Sequence, residues 1–132
     1  MKKYLLVLMI MSSLSIQAQN GKISTIDFVQ ILNDNREEAV FYYQNNWLEL
    51  RKIAVAKSYI DSFEIIEVQS TPEASFHLIL KTTYKNQAAY EKSEDRFQKI
   101  IEENGPLKLL NDKKPGDFRK VIFYKEKAIH LF

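Results

Sequence analysis

Alternation of hydrophobic and polar residues predicts four β-strands. A period of two, with many β-branched residues, is typical of strands that bury one face. The predicted strands are residues 23–32, 62–68, 74–84 and 119–124. In the third strand the alternation is clearest: Phe76, Leu78, Leu80, Thr82 and Tyr84 are expected on one face, and His77, Ile79, Lys81 and Thr83 on the other.

Two segments instead repeat their apolar residues every three or four positions, which predicts amphipathic helices. The first covers residues 36–57, and its apolar stripe is Val40, Tyr43, Trp47, Leu50 and Ala54. Asp34 and Glu37 have the spacing of an acidic capping box at its start. Asn86 is expected to cap the second helix, which runs to about Asn104 before Gly105 and Pro106 end it.

The resulting order, β-α-β-β-α-β, predicts an α+β fold of the ferredoxin-like type. Such a fold has a four-stranded antiparallel sheet with both helices on one face. The chain shows no repeats or linkers, so we expect a single domain over residues 20–132. A cystatin-like or nuclear-transport-factor-like cone is the alternative, and the second helix ending at Gly105 argues against it.

The first 19 residues have the three parts of a secretory signal peptide. Lys2 and Lys3 are followed by the apolar run 4–11 and then by small and polar residues up to Gln19. The run is shorter than the roughly 20 residues that a membrane-spanning helix needs. We therefore expect export to the periplasm or the extracellular space, with cleavage after Ala18.

Charge and composition exclude some classes of binding partner and of protein. Loss of Lys2 and Lys3 with the signal peptide leaves 17 basic residues against 17 acidic ones. A balanced chain without a basic face is not expected to bind nucleic acid. We also expect no membrane span after signal removal. The 45% hydrophobic content excludes a disordered chain.

The chain lacks the residues that several catalytic mechanisms require. The chain has no cysteine, two histidines and three glycines, and no spacing of a zinc site, a serine nucleophile elbow or a phosphate loop. No two carboxylates are forced together as in a glycosidase. We expect no cofactor and no metal, and no catalytic residue can be assigned.

Aromatic residues provide the candidate ligand site. Buried Tyr and Trp side chains need a partner for their polar ends, so a cleft lined by them suits a planar or amphipathic small molecule. An ordinary aromatic core is the competing interpretation. The candidate ligand-binding residues are Tyr43, Asn46, Trp47, Phe76, His77, Tyr84, Arg96 and Phe97, with Arg51 also considered at the rim.

A second apolar stripe on the first helix is the candidate interface. It consists of Phe41, Leu48, Val55 and Tyr59, about 100° around the helix from the first stripe. Two interpretations stay open: the stripe packs on the C-terminal segment 129–132, or it packs on another subunit of a homodimer. The mixed outer face of the sheet is likewise expected to be covered by a partner sheet or by the tail.

This order of elements over residues 23–125 resembles the dimeric α+β barrel superfamily, which includes the antibiotic-biosynthesis-monooxygenase-like domains. The resemblance implies that two ferredoxin-like subunits pair sheet to sheet, with small ligands bound between sheet and helices. Haem-degrading members use a histidine on a helix. That role is not carried over, because His77 lies on a predicted strand and His130 in the tail.

Three functions follow as expectations. The first is an exported homodimeric domain that binds a small apolar or aromatic ligand, or a protein partner. The second is a cofactor-independent monooxygenase or isomerase of the dimeric α+β barrel type, using Tyr43, Trp47 or His77. The third is an envelope protein that acts only through assembly.

Overall fold

A computed structural model describes residues 21–132 and contains one four-stranded antiparallel sheet. The strands are β1 (Ile23–Ile31), β2 (Ser62–Glu67), β3 (Leu78–Tyr84) and β4 (Arg119–Ile129). Their spatial order is β2-β3-β1-β4, with every neighbouring pair antiparallel. This is the ferredoxin-like arrangement that the sequence predicted. The predicted signal peptide lies outside the described residues.

The first predicted helix is continuous but changes its winding in the middle. It consists of α1 (Arg36–Tyr42), a π-helical segment (Tyr43–Trp47) and α2 (Leu48–Ala56). The predicted capping box is wrong: Asn35 precedes the helix, and no side chain caps its first turn. Asp34 instead lies in a turn with a φ of 56°, and its place at the helix start is taken by Asn35.

The second predicted helix is divided at Lys92 into α3 (Gln87–Glu91) and α4 (Ser93–Asn104). Asn86 caps α3 as predicted, accepting a 2.9 Å hydrogen bond from the amide of Ala89. Gly105 follows α4 with a φ of 85°, a conformation that L-residues rarely adopt. A final short helix, α5 (Pro115–Phe118), directly precedes β4.

The third strand is shorter than predicted. Residues 74–77 precede β3, and Thr71 and Ala74 close a small turn there. Alternation therefore does not extend to Phe76, whose predicted position on the helix-covered face is wrong. Its ring packs edge-on against Phe28, 4.9 Å away, on the opposite face of the sheet. The fourth strand, in contrast, extends beyond its predicted end at Tyr124 to Ile129.

The core lies between the helices and one face of the sheet. It forms two clusters of buried side chains: Val29, Tyr43, Leu78 and Leu80 in one, and Ala54, Ile60, Tyr84 and Ile100 in the other. The helix-facing side of β4 is less covered. Val121 and Tyr124, which pair with Val29 and Asp27 of β1, are 39% and 53% exposed. The fold therefore leaves a cleft between β4 and the helices.

The outer face of the sheet carries an apolar row that crosses all four strands. Ile66 pairs with Ile79, Ile79 with Phe28, and Phe28 with Phe123. Ile66 and Phe123, at the two ends of the row, are 42% and 56% exposed. We call these four residues the outer apolar row.

The C-terminal segment does not cover the second helix stripe, so that interpretation is wrong. Ile129 belongs to β4, and the amide of His130 donates a 3.3 Å hydrogen bond to the carbonyl of Lys22. His130 Nε2 also lies 2.7 Å from Ser24 Oγ. Pairing with β1 holds the segment at the sheet, away from the stripe.

Candidate functional site

Two adjoining cavities form a cleft between β4 and the helices. One has a volume of about 290 Å³ and the other about 610 Å³, and both are lined by Asp27 and Ile101. We call the whole space the helix–sheet cleft. Its smaller part is the Trp47 end, and its larger part, beside Tyr84, Tyr90 and Tyr124, is the tyrosine end.

The π-helical segment builds the Trp47 end. The segment contributes Tyr43, Asn46 and Trp47 to the lining. A π-turn widens the helix locally, and such turns are frequent at functional sites. The rest of this end is largely apolar and includes Leu50, Ile101, Leu107 and Val121.

Asn46 fixes the loop that closes this end. Its Nδ2 donates a 2.8 Å hydrogen bond to the carbonyl of Lys108, and its Oδ1 accepts one of 2.8 Å from the Lys108 amide. Nδ2 also donates to the carbonyl of Tyr42 at 2.8 Å. The side chain is buried with its polar atoms satisfied, so Asn46 positions the wall of the cleft.

Asp27 places a carboxylate in the floor of the cleft. It pairs with Leu80 on one side and Tyr124 on the other, within the face that the helices cover. No side-chain hydrogen bond or ion pair within residues 21–132 holds this carboxylate. Partial burial raises its pKa, although the positive charges of Arg51 and Arg119 oppose that shift. A perturbed acid in a cleft is a typical functional group.

Arg51 lines the tyrosine end together with Asp27, and its guanidinium lies between two aromatic rings. The Cζ atom is 4.3 Å from the centroid of Trp47 and 4.4 Å from that of Phe97. Its Nε donates a 3.2 Å hydrogen bond to Thr82 Oγ1. Burial lowers the pKa of Arg51 to about 10, so the group remains charged at neutral pH.

Phenols and carboxylates dominate the tyrosine end. The rings of Tyr84 and Tyr90 meet edge to face with centroids 5.6 Å apart. Burial and then the carboxylate of Glu126 raise the pKa of Tyr124 to about 12. The same two causes, in the same order, raise the pKa of Tyr90. Three glutamates line this end of the cleft: Glu91, Glu94 and Glu126.

Arg119 brings a guanidinium to the Trp47 end. Its Cζ lies 5.4 Å from the ring centroid of Tyr42. Its Nε is buried without a hydrogen-bond partner among the described residues. A buried donor left unpaired costs free energy, which makes this atom available to a polar group of a ligand.

Five of the eight predicted ligand-binding residues lie together in the cleft: Tyr43, Asn46, Trp47, Tyr84 and Phe97. The structure does not bring the other three there. Phe76 is on the outer face, and the guanidinium of Arg96 lies 4.5 Å from the ring centroid of Tyr59. His77 Nδ1 accepts a 2.9 Å hydrogen bond from the amide of Ile31 beside the end of β1.

The sequence interpretation missed several lining residues: Asp27, Arg119, Tyr124 and Glu126. Asp27 had a usable signal, because it alternates with Val29 on the face that the helices bury. No sequence signal identified the other three, Arg119, Tyr124 and Glu126. Both cavities depend on how far β4 extends and on where the helices leave it uncovered.

The candidate interface residues have different surroundings. Leu48 lines a groove beside β2 together with Phe63 and Ile65. Tyr59 packs on the second core cluster, and Val55 is 39% exposed. Phe41 is half-buried. The stripe is therefore interrupted, and the outer apolar row is the more continuous apolar surface.

Within residues 21–132, no group of three or more His, Cys, Asp or Glu side chains is arranged to hold a metal ion. No helix in this part of the chain is long and apolar enough to cross a membrane.

Comparison with known proteins gives one structural likeness. No protein-family model matches the chain, and no curated protein matches it with significant similarity. A solved structure of an ethyl tert-butyl ether D (EthD) family protein from Bacillus halodurans is similar to it, with a TM-score of 0.47 and 9% sequence identity. The match covers 80% of this chain and 99% of that one.

Proposed function

We propose that the chain binds a small, flat, largely apolar ligand in the helix–sheet cleft. The observation that carries this proposal is the continuity of the cleft: its two cavities share Asp27 and Ile101. Apolar walls with a few convergent polar groups are typical of small-molecule sites. Trp47 and Phe97 line the two cavities with aromatic side chains, and Asp27 and Arg119 offer polar groups without side-chain partners in the described chain.

Trp47 gives the experiment its signal, because it is the single tryptophan of the chain. We expect neutral aromatic compounds such as 2-phenylethanol to change its fluorescence in a saturable manner. Ile101→Phe adds bulk where the two cavities meet and should weaken binding at least about five-fold. Leu109→Phe is the matched control, because Leu109 is 38% exposed outside the cleft. Equal binding by both variants would place the ligand elsewhere.

We further propose that the chain forms a homodimer through the outer face of its sheet. The outer apolar row supplies a continuous centre. Charges of both signs lie in the next row, where Glu64 and Lys81 form a 3.5 Å ion pair and Lys125 pairs with Ile26. An apolar centre with charges of both signs beside it suits a self-complementary contact about a two-fold axis. The expected occupant is therefore a second copy of the chain.

Export is a third part of the proposal. It is supported by the basic, apolar and small-residue order of residues 1–19. The intact mass of the protein from a secreting host tests it. We expect a chain that begins at Gln19, and the full precursor mass in the cytoplasm would contradict export.

Proton-transfer catalysis is the second candidate function, and the position of Asp27 favours it. A half-buried carboxylate with a raised pKa is suited to take a proton from an acidic C–H bond and return it to another carbon, as an isomerase does. Incubation of a bound ketone in deuterated water should then exchange that hydrogen. Asp27→Asn should abolish the exchange while binding persists, and exchange at an unchanged rate in that variant would exclude the role.

A further inference from the structure

The charges and rings of the tyrosine end identify a class of ligand. We infer that this end of the helix–sheet cleft binds an organic cation, a primary amine or quaternary ammonium group carried by the ligand. The inference rests on the proposed function, because the cation is part of the molecule whose apolar portion lies at the Trp47 end.

The lining of the tyrosine end is strongly unbalanced in charge. Four acidic residues line it, Asp27, Glu91, Glu94 and Glu126, against one basic residue, Arg51, while Lys127 lies outside the lining near Tyr90. Arg51 is not free to meet an anion there. Two aromatic rings cover its guanidinium, and its Nε is bonded to Thr82. A ligand anion would therefore meet mainly negative charge, whereas a cation would meet several opposite charges.

The aromatic walls add a second, independent preference. Tyr84, Tyr90 and Tyr124 all line this end, and the first two meet edge to face. The faces of such rings attract cations, and cages of aromatic side chains recognise ammonium groups in this way. The ring of Tyr90 already has a cation near it, since Lys127 Nζ lies 5.8 Å from its centroid. Rings and carboxylates therefore favour the same kind of group.

Asp27 connects the two ends and sets the overall form of the ligand. Because its carboxylate lines both cavities, a molecule with its ring near Trp47 and its ammonium among the tyrosines passes over Asp27. An arylalkylamine has this form. The same skeleton with a hydroxyl or a carboxylate lacks the charge that the tyrosine end favours.

The test compares three ligands that share one skeleton: 2-phenylethylamine, 2-phenylethanol and 3-phenylpropionate. Trp47 fluorescence of the processed chain is followed at neutral pH. We expect the amine to bind at least about five-fold more tightly than the alcohol, and the carboxylate to bind most weakly. If the alcohol or the carboxylate binds as tightly as the amine, the cation inference is overturned while the cleft proposal stands. If none of the three binds, the cleft proposal itself fails.

Two glutamine variants locate the cation. Glu126→Gln removes an exposed carboxylate of the tyrosine end and should weaken amine binding about three-fold, with no change for the alcohol. Glu102→Gln is the matched control: it removes one charge from α4, where Glu102 accepts a hydrogen bond from Gln98 outside the cleft. Equal effects of both variants on the amine would indicate general electrostatic attraction and would overturn the assigned site.

Discussion

Asn46 and Lys108 are joined by two hydrogen bonds of 2.8 Å, one in each direction between the Asn46 amide and the Lys108 backbone. The two residues are 62 positions apart in sequence. The pair fastens the segment after Gly105 to the π-helical segment, so it determines the shape of the Trp47 end. Its contribution is directly measurable.

Asn46→Ala should lower the free energy of unfolding by about 1–3 kcal/mol, because it leaves partly buried backbone groups without partners. Asn45→Ala is the control. Asn45 makes one hydrogen bond, to the carbonyl of Phe41 in its own helix, so the loss should be smaller. Denaturant unfolding measures both. Equal losses would mean that the Lys108 contact contributes little.

The raised pKa of Asp27 predicts a pH-dependent stability. A carboxyl group whose pKa is higher in the folded chain binds protons more strongly there, so stability falls as the pH rises from the unfolded value of 3.8 through the folded value. Asp27→Asn removes that loss. We expect the variant to unfold at a higher temperature than the original chain at neutral pH.

The difference between the two chains should shrink as the pH falls below the ordinary pKa of Asp. Each unit of pKa difference corresponds to about 1.4 kcal/mol, so the pH profile of the difference measures the shift. Thermal unfolding at several pH values is sufficient. A variant that is less stable at neutral pH would contradict the assignment of Asp27 as an unpaired, partly buried carboxylate.

Arg51→Lys should be destabilising although it preserves the charge. A lysine ammonium cannot stack its two faces between the rings of Trp47 and Phe97, and its charge is harder to desolvate. We expect a loss of about 2 kcal/mol, the upper part of the range for desolvated cation–π contacts. Arg96→Lys, at an arginine that stacks on Tyr59 alone, should cost less than about 1 kcal/mol. Denaturant unfolding compares them, and the reverse order would refute the stacking account.

Two variants distinguish the two candidate dimer interfaces, the outer apolar row and the second helix stripe. Phe123→Glu places a charge in the outer apolar row, where the native ring is 56% exposed, and should convert a dimer to a folded monomer. Leu48→Glu places a charge in the second helix stripe and should leave the dimer intact. Mass in solution, measured by light scattering, is the readout. The opposite pattern would move the interface to the stripe of Phe41, Leu48, Val55 and Tyr59.

Local patterns were sufficient to predict the fold but only part of the site. The period of two in β1 and the period of three to four around Trp47 determine the element order, and the order determines the topology. The sequence did not show that β3 begins only at Leu78, because Phe76 and His77 continue the alternating pattern of the strand. The turn closed by Thr71 and Ala74, just before them, is formed by a backbone contact that this pattern does not reveal.

The missed half of the site depends on long-range geometry. Arg51 was recognised only as a rim residue, since its stacking needs Phe97 from α4 and Trp47 from its own helix. Tyr124 and Glu126 lie on β4 and meet Asp27 only through the β1–β4 register. A bulge shifts that register between Ser24 and Ile26, and no short-range pattern predicts such a shift.

The most direct test of ligand binding in the cleft is a heteronuclear NMR titration of the processed chain with 2-phenylethylamine. We predict that the backbone signals that shift are concentrated at Asp27, Trp47, Phe97 and Tyr124, while those of Ile66 and Ile79 on the outer face stay in place. Shifts confined to the outer face, or no shifts at the highest soluble ligand concentration, would contradict a small-molecule site between the sheet and the helices.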